Sequence, residues 1–394
     1  MNDSANASEP SPFFLTDASA WRQCLAAMAG SADAQDQLAR ESDAWLEAAP
    51  PNIVRNKRHV APSGDPHDYI SIGPYWWPDE TKPDGLPWIR RDGQINPQFY
   101  EYDSLALETF CQSVSRLVLR AAAGCDAHAR RAGDFLRAWF LDAETRMNPH
   151  LRYAQFIPGV CDGRGIGIID TSSLVFLLDA VTHLPPSAAW TAAEMAGLRE
   201  WVSCYLDWLL DSEPGRQEQA EPNNHGTRYD AQLCALACFC GRRDVARRQI
   251  ETRTLGRIAS QIEPDGGQPR ELARTLSLTY CTYNLLALAC LAQLGKGLGI
   301  DLWRHETPDG RSILRALRWM LPYYAGTAPW TGKQLRPFDF AASALLLQLA
   351  WQGTGEAALD ALAAKNARFP WRRLTFSKAA LAARTQPAGG TGNG

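Results

Sequence analysis

The sequence predicts an all-α protein made of antiparallel helix pairs, arranged either as an open solenoid or as a closed toroid. Three observations support this fold class. From Tyr102 onwards apolar residues recur at three-and-four spacing, as in the stripe from Leu107 to Ala121. Similar helical patterns follow along most of the remaining chain. Strand signals are almost absent, and no repeat is visible at the level of residue identity.

The helices are predicted in order along the chain. Residues 1–16 are rich in Ser, Asn and Pro and predict a flexible N-terminus, after which Ala18 to Leu46 predicts an arm of two short helices. Beyond Ala121, helices are predicted at residues 126–142, 170–183, 190–211, 228–241, 243–261, 271–295, 311–323, 338–351, 355–365 and 376–384. We expect a single domain over residues 17–384 and a flexible tail at residues 385–394. With 394 residues, 45% of them apolar, the chain can bury a large core.

Composition excludes several classes of partner. The formal charge of −3 argues against a nucleic-acid or anionic-membrane surface as the main partner. The ten cysteines lie mostly in apolar helical runs, which indicates buried thiols rather than a disulfide scaffold. Cys234, Cys238 and Cys240 have no histidine near them in sequence, so we expect core thiols and no structural metal.

The N-terminal residues lack a basic segment followed by an apolar core, and no later segment is predicted to span a membrane. We therefore expect a soluble protein that is cytoplasmic as given, or periplasmic if a leader was removed. The sequence leaves the oligomeric state open.

Residues 50–100 predict a long loop, because proline, glycine and aromatic residues replace the helical pattern there. Long loops in compact domains are uncommon unless they are functional. Tyr75, Trp76 and Trp77 place three large rings together, and such rings can stack on sugars from a loop that acts as a lid. The alternative is that the rings only fix the loop to the scaffold. Arg90 follows and could bind a carboxylate.

A second polar loop is predicted from Asn148 to Gly159, followed by a glycine-rich stretch at residues 163–170. These glycines lack the spacing of a dinucleotide-binding loop, and no strand precedes them. We interpret the segment as a wide loop over the mouth of the helical array. Tyr153 and Gln155 could face a ligand there.

The stretch from Glu221 to Asp230 is the densest in reactive side chains. Thr227 could cap the apolar helix that follows, which would place Asn224 and His225 at a helix N-terminus, a favourable position for an anion. A polar loop without function is the alternative. The same stretch supplies Asn223 and Tyr229 as candidate binding residues.

A glycine-rich turn precedes the predicted helix at residues 271–295. Its first turns carry Arg270, Glu271, Arg274, Ser277, Tyr280 and Tyr283. Glu271, Arg274 and Ser277 recur at three-residue spacing and are expected to share one face. Arg270 and Glu271 are candidate substrate-binding residues; the alternative to a role in a site is that Glu271 and Arg274 form an ion pair on a solvated helix face. Because this helix and the one after His225 both begin at polar segments, we expect them to open onto the same rim.

An Asn, a His, an Arg and a Tyr in one cleft suit the removal of a proton beside a carboxylate. In β-elimination from a uronate, neutralising the carboxylate stabilises the enolate that develops when C5 loses its proton, and Asn224 and Arg274 could do this. His225 and Tyr280 could act as the base at C5 and as the acid at the departing C4 oxygen. No cofactor is required.

Four motifs together make the chain similar to the alginate lyase domain family, over roughly residues 50–350. They are Gly-Pro-Tyr-Trp-Trp-Pro-Asp at 73–79, Asn-Pro-x-Leu-x-Tyr-Ala-Gln at 148–155, Asn-Asn-His-Gly-Thr-x-Tyr-Asp at 223–230 and Glu-Leu-x-Arg-Thr-x-Ser-x-x-Tyr at 271–280. The family is related to the polysaccharide lyase family 5 enzymes. The resemblance implies an incomplete (α/α) toroid with a deep cleft and metal-independent β-elimination of mannuronate-type polymers or oligosaccharides, which leaves 4,5-unsaturated uronate ends.

By position, the resemblance assigns the catalytic roles to Asn224, His225, Arg274 and Tyr280. It implies that Tyr280 is the acid and, in a syn elimination, also the base, with His225 as the base when the C5 proton lies on the opposite face. The spacing from Arg274 to Tyr280 is shorter than the family pattern, so Arg270 is the substitute for neutralising the carboxylate. The Gly-Thr-x-Tyr-Asp that follows the Asn-Asn-His triplet leaves another uronate substrate open.

Two other functions remain open from the sequence. A glycoside hydrolase on a similar toroid would use a pair of carboxylates chosen from Asp79, Asp170 and Asp265. A sugar-binding scaffold without turnover would keep the cleft but leave the polymer uncleaved.

Overall fold

The computed structural model describes residues 15–55, 57–184, 187 and 189–376 of the chain. Within these residues it contains sixteen α-helices and four short β-strands, so the predicted all-α class is confirmed. The helices are α1 (Ala18–Ala29), α2 (Ala32–Ser42), α3 (Ala44–Glu47), α4 (Asp103–Ala122), α5 (Asp126–Leu136), α6 (Leu174–Thr182), α7 (Ala192–Asp211), α8 (Glu213–Ala220), α9 (Asn224–Phe239), α10 (Arg243–Gln249), α11 (Leu255–Gln261), α12 (Pro269–Leu272), α13 (Ser277–Gly297), α14 (Ile313–Ala325), α15 (Ala341–Thr354) and α16 (Ala357–Ala367). The strands are β1 (Ile70–Ile72), β2 (Trp76–Trp77), β3 (Ile89–Arg90) and β4 (Tyr153–Phe156).

Helices α9 and α13 form the apolar centre of the fold. They pack against each other, and nearly all of their residues are buried. Neighbouring helices surround them: α7, α8 and α10 pack on α9, while α14 and α15 pack on α13. The polar N-terminal ends of α9 and α13 carry most of the candidate catalytic residues.

Two helical stretches, Gly165–Thr182 and Ser277–Gly297, are long and apolar enough to cross a membrane, although the sequence reading predicted no such segment. In the most apolar 18 residues of each stretch, 83% and 94% are buried within the described fold, so we assign both stretches to the core. All ten cysteines are free thiols; Cys234 is buried, while Cys204 is exposed.

Several predicted helices have different bounds. The helix predicted at residues 228–241 begins earlier, at Asn224, and the prediction omits α8. The helix predicted at 170–183 begins with a 3-10 segment, Gly165–Ser173, that leads into α6. Those predicted at 126–142 and 243–261 contain the π-helical turns Arg137–Leu141 and Ile250–Thr254.

The helix predicted at residues 271–295 is interrupted between α12 and α13. The intervening backbone binds a distant segment instead of continuing the helix: Ser277 N donates to Lys333 O at 2.9 Å, and Leu335 N donates to Thr275 O at 3.1 Å. Leu276 and Gln334 form an isolated antiparallel bridge. Glu271, Arg274 and Ser277 therefore do not share a helical face, and Tyr280 lies in the first turn of α13.

The long loop at residues 50–100 holds three of the four strands. β2 pairs antiparallel with β3, Trp76 opposite Arg90, and forms a hairpin, whereas β1 pairs parallel with β4 from the second loop. Strands of two to four residues carry too little alternation to be predicted. The two predicted loops are therefore joined to each other, and we call residues 74–96, which include the hairpin, the aromatic lid.

Both predicted flexible ends lie largely outside the described residues, as does the helix predicted at 376–384 apart from Phe376. Leu15 and Thr16, at the end of the predicted flexible N-terminus, are buried. The Thr16 hydroxyl donates to Asp179 Oδ2 at 2.7 Å, and Leu15 N donates to Asp179 Oδ1 at 2.9 Å.

Candidate active site

A cleft of about 430 Å³ opens between the aromatic lid, the second loop and the N-terminal ends of α9 and α13. It gathers residues from segments that lie far apart in sequence. The predicted site residues that line it are Tyr75, Trp76, Arg90, Gln155, Asn223, Asn224, His225, Arg274 and Tyr280. His225 and Tyr280 thus face the same hollow, as the elimination chemistry requires.

The N-terminus of α9 is built around Asn223 and Asn224. Asn223, not Thr227 as predicted, is the N-cap, because its side chain accepts from His225 N at 2.9 Å. Asn224 N and Nδ2 donate to the two oxygens of Glu271 at 2.7 and 2.8 Å, which fixes the amide. The buried Asn224 Oδ1 has no hydrogen-bond partner among the described residues. That oxygen can accept a hydrogen bond from a ligand, and Nδ2 has a second hydrogen besides the one that it donates to Glu271.

His225 is held by a buried carboxylate. Its Nδ1 lies 2.9 Å from Glu218 Oε1, and the Glu218 side chain is 0% exposed. With Nδ1 bonded to the carboxylate, Nε2 is the ring nitrogen left to accept a proton. Burial raises the pKa of Glu218, although His225 opposes the shift. Burial disfavours the negative charge of Glu218, and the contact with His225 reduces that penalty.

The first turn of α9 is packed too tightly for a side chain at Gly226. A Cβ there would lie 2.2 Å from both Glu221 O and Arg257 Nη1. Arg257 in turn binds the buried Asp230, with Nε 2.8 Å from Oδ2. This packing fixes the backbone on which Asn224 and His225 are mounted.

Tyr280 is paired with a second phenol from the aromatic lid. Its hydroxyl lies 2.7 Å from that of Tyr75, and the Arg274 guanidinium stacks 3.8 Å from its ring centroid. Burial raises the pKa of Tyr280 well above its ordinary value, and the Arg274 guanidinium opposes the shift. Burial also raises the pKa of Tyr75. In the free protein Tyr280 is therefore protonated at neutral pH and ready to donate.

Arg274 anchors the lid as well as facing the cleft. It makes a bidentate pair with Asp92, with Nη2 2.7 Å from Oδ1 and Nε 3.3 Å from Oδ2. Thr275 Oγ1 donates to Asp92 at 2.9 Å, and Arg90 Nη2 donates to it at 2.8 Å. Burial opposes ionisation of Asp92, but its bonds to Arg274 and Thr275 lower its pKa to about 2. Asp92 is therefore a carboxylate throughout the neutral range.

Comparisons with known proteins show the family to which the chain belongs. The alginate lyase family model matches residues 53–330. The solved structure of an alginate lyase from Bacteroides ovatus is 36% identical and superposes with a TM-score of 0.85, covering 95% of this chain and 99% of that chain. The chain belongs to the alginate lyase family. Its fold is the predicted (α/α) toroid, and it is a polysaccharide lyase.

More distant alginate lyases share the fold. A His→Ala variant of alginate lyase A1-III, complexed with a tetrasaccharide, is 18% identical, with a TM-score of 0.58 over 98% of this chain and 99% of that chain. A Tyr→Phe variant of the same enzyme, also complexed with a tetrasaccharide, is 16% identical, with a TM-score of 0.53 over 88% and 89% of the two chains. No curated protein matches the sequence significantly.

Three predicted binding residues of this lyase do not reach the cleft. Tyr229 is 1% exposed, and its hydroxyl donates to Leu209 O at 2.8 Å, because the helix turns it into the core. Arg270 is exposed and donates to Ser260 O at 2.6 Å, which removes it as a substitute for Arg274. Glu271 is buried behind Asn224 and supports that residue.

Trp77 and Tyr153 also lie outside the lining of the cleft. Side chains alternate along an extended strand, so Trp76 in β2 lines the cleft while Trp77 turns away. Trp77 donates from Nε1 to Gln94 O at 3.0 Å, and Arg91 lies over its ring. Tyr153 packs near His150, with its ring centroid 6.5 Å away. The lyase therefore presents two of the three clustered lid rings to the cleft, Tyr75 and Trp76.

The three carboxylates named above for a hydrolase, Asp79, Asp170 and Asp265, do not lie together in the cleft. Asp79 binds Thr81 within the lid, and the exposed Asp265 caps Gly267 N. Only Asp170 of the three lines the cleft, where it accepts from Ser71 at 2.6 Å and from Tyr69 at 3.1 Å. Among the described residues, no group of three His, Cys, Asp or Glu side chains is placed to hold a metal ion.

Sequence reasoning missed three residues of the site: Asp92, Arg164 and Glu218. Asp92 lies in the Arg-Arg-Asp-Gly segment, but nothing local shows that it pairs with Arg274, 182 residues away. Glu218 could have been found, because Ser212 followed by Glu-Pro is a typical helix start and would have predicted α8. Arg164 lies among the glycines of the second loop.

Proposed function

We propose that this lyase cleaves alginate or a related uronate polymer by metal-independent β-elimination and leaves a 4,5-unsaturated uronate end. The observation that carries the proposal is that His225 and Tyr280, each held by a buried partner, line one cleft together with Asn224 and Arg274. Alginate lyases among the relatives, including variants complexed with a tetrasaccharide, support an acidic polysaccharide as the substrate.

The first requirement is to neutralise the uronate carboxylate, because the C5 proton becomes acidic only if the adjacent enolate is stabilised. Asn224 is fixed by Glu271, and its Nδ2 has a second hydrogen, besides the one donated to Glu271, for the uronate carboxylate. Arg274 supplies positive charge, although Asp92 already binds two of its nitrogens. We assign hydrogen bonding to the carboxylate to Asn224 and electrostatic support to Arg274.

His225 is assigned as the base. Its Nε2 takes the proton from C5, and the electron pair of the C–H bond forms the C4–C5 double bond. The imidazolium that results is stabilised by the Glu218 carboxylate on the opposite ring nitrogen. A buried carboxylate and imidazolium form a neutral pair, which burial favours over an isolated charge.

Tyr280 is assigned as the acid. It gives its proton to O4 as the C4–O4 bond breaks, and it becomes a phenolate. The Tyr75 hydroxyl at 2.7 Å and the Arg274 guanidinium over the ring stabilise that phenolate. A raised pKa keeps the resting Tyr280 protonated and opposes a resting phenolate, so it favours His225 over Tyr280 as the base. Exchange with solvent returns the proton from His225 to Tyr280.

The test is a panel of acidic polysaccharides incubated with the wild type and with Tyr280→Phe. We expect the wild type to produce the ultraviolet absorbance of conjugated uronate and the variant to lose about 10²- to 10⁴-fold in rate. Equal absorbance from both would refute the role of Tyr280. New reducing ends without absorbance would indicate a hydrolase. Calorimetric binding without any shortening of the polymer would indicate a non-catalytic scaffold.

A further inference from the structure

Arg164 lies in the cleft but has no role in the elimination described above. Its Nε donates to Gln155 O at 3.1 Å, and its Nη2 donates to Gln155 Oε1 at 2.9 Å. Its guanidinium lies 5.7 Å from the centroid of the Trp76 ring. These contacts fix the plane of the guanidinium, and within the described part of the chain both hydrogens of Nη1 and one of Nη2 have no acceptor.

The residue that holds Arg164 is itself under strain. Gln155 has φ 49, in the left-handed region that side chains other than glycine rarely adopt, and is only 4% exposed. Its Nε2 donates to Asp170 at 3.0 Å, and its backbone N donates to Ser71 Oγ at 2.9 Å. A buried glutamine with a strained backbone persists only where surrounding contacts enforce it, and here the side chain that those contacts hold orients one arginine.

Space beside Arg164 is restricted as well. A Cβ at Gly73 would lie 2.5 Å from Trp76 Cδ1 and 3.0 Å from Arg164 Nη2. Only glycine therefore lets the backbone immediately before the aromatic lid pass so close to both side chains. The guanidinium and the ring are packed as a pair before any ligand binds.

The charge of Arg164 is also uncompensated by direct contact. Within the described residues it forms no ion pair with a carboxylate, whereas Arg90 and Arg274 both bind Asp92. The nearest carboxylate in its network, Asp170, is bound to the amide of Gln155. Burial lowers the pKa of Arg164 from its ordinary value, so an anion that entered the cleft would relieve this cost.

The lid contributes to both parts of the cleft. Tyr75 reaches Tyr280 at the start of α13, whereas its neighbour Trp76 reaches Arg164 beside β4. The reacting sugar belongs at the first position, where Asn224, His225 and Tyr280 converge. The second position presents an aromatic face and a guanidinium, which fit the next sugar ring and its carboxylate.

We propose that Arg164, oriented by Gln155 and paired with Trp76, binds the carboxylate of the uronate adjacent to the sugar that loses its C5 proton. This inference rests on the proposed function and deepens it: the lyase selects two consecutive uronates. A neutral sugar at the adjacent position would leave the guanidinium without a partner and would bind more weakly.

The experiment compares two tetrasaccharides, one with every carboxylate free and one whose non-reacting uronates are reduced to neutral sugars. For the wild type, we expect kcat/KM to be about 10- to 100-fold higher on the first. Arg164→Gln should lose about the same factor on the first and little on the second. Arg164→Lys keeps the charge but lacks the planar set of guanidinium donors, so its kcat/KM on the first tetrasaccharide should lie between those of the wild type and Arg164→Gln. Arg152→Gln, on an exposed residue of the same loop outside the cleft, should match the wild type.

A loss by Arg164→Gln that is equal on both tetrasaccharides would overturn the inference, since it would indicate only that Arg164 supports the loop. If Arg164→Gln does not fold, the same comparison on Arg164→Lys decides. Calorimetry on Tyr280→Phe, with and without Arg164→Gln, measures the same discrimination without turnover. A wild type that made no unsaturated ends would refute the elimination, while the calorimetric result would still confirm or refute the role of Arg164.

Discussion

Replacing Tyr75 with phenylalanine removes one hydroxyl from the cleft and tests whether the two phenols work together. The hydroxyls of Tyr75 and Tyr280 are 2.7 Å apart, the length of a strong O–H···O hydrogen bond. When Tyr280 has given its proton to O4, that bond is made to a phenolate. Hydrogen bonds to charged groups contribute about 1.5–3 kcal/mol, which corresponds to a loss in kcat of about 10- to 150-fold.

The assay is the initial rate of unsaturated uronate formation under saturating substrate, with KM measured alongside. Because the bond strengthens only as Tyr280 ionises, kcat should fall while KM changes little. Tyr323→Phe is the matched control, since that phenol lies outside the cleft and packs against Trp319 and Trp330. A kcat within twofold of the wild type would refute the reasoning. A loss confined to KM would show instead that Tyr75 only holds the lid.

Two further outcomes follow from the site. Glu218→Gln keeps a hydrogen-bond acceptor at His225 Nδ1 but removes the charge that stabilises the imidazolium. We expect kcat to fall about 10- to 150-fold, with KM and melting temperature unchanged. A melting temperature that fell together with kcat would indicate that Glu218 supports the fold and not the base. Prolonged dialysis against a chelator should leave the rate of the lyase unchanged, because protein side chains supply every proposed step, and a loss restored by one added divalent cation would contradict that assignment.

The sequence was sufficient for the fold class and for the local motifs, because both depend on short-range patterns. The apolar spacing in α4 and α9 is visible within each helix, and the Asn-Asn-His triplet is contiguous. Side-chain direction was less accessible. Tyr229 lies one helical turn beyond His225 on the same side of α9, yet its side chain is in the core while that of His225 enters the cleft. How far the cleft extends along α9 depends on α7 and α8, which pack against it.

The interruption between α12 and α13 shows why the rest of the site was beyond local reasoning. Residues 271–295 have the apolar spacing and helix propensity of one continuous helix. Their backbone at 275–277 nevertheless hydrogen-bonds to residues 333–335, and Asp92 binds both Arg274 and Thr275. Partners so distant in sequence leave no periodic signal. The same contacts begin α13 at Ser277 and thereby place Tyr280 in its first turn, where the lid phenol can reach it. The tertiary contacts that interrupt the predicted helix are therefore the same contacts that position Tyr280, the acid of the proposed elimination.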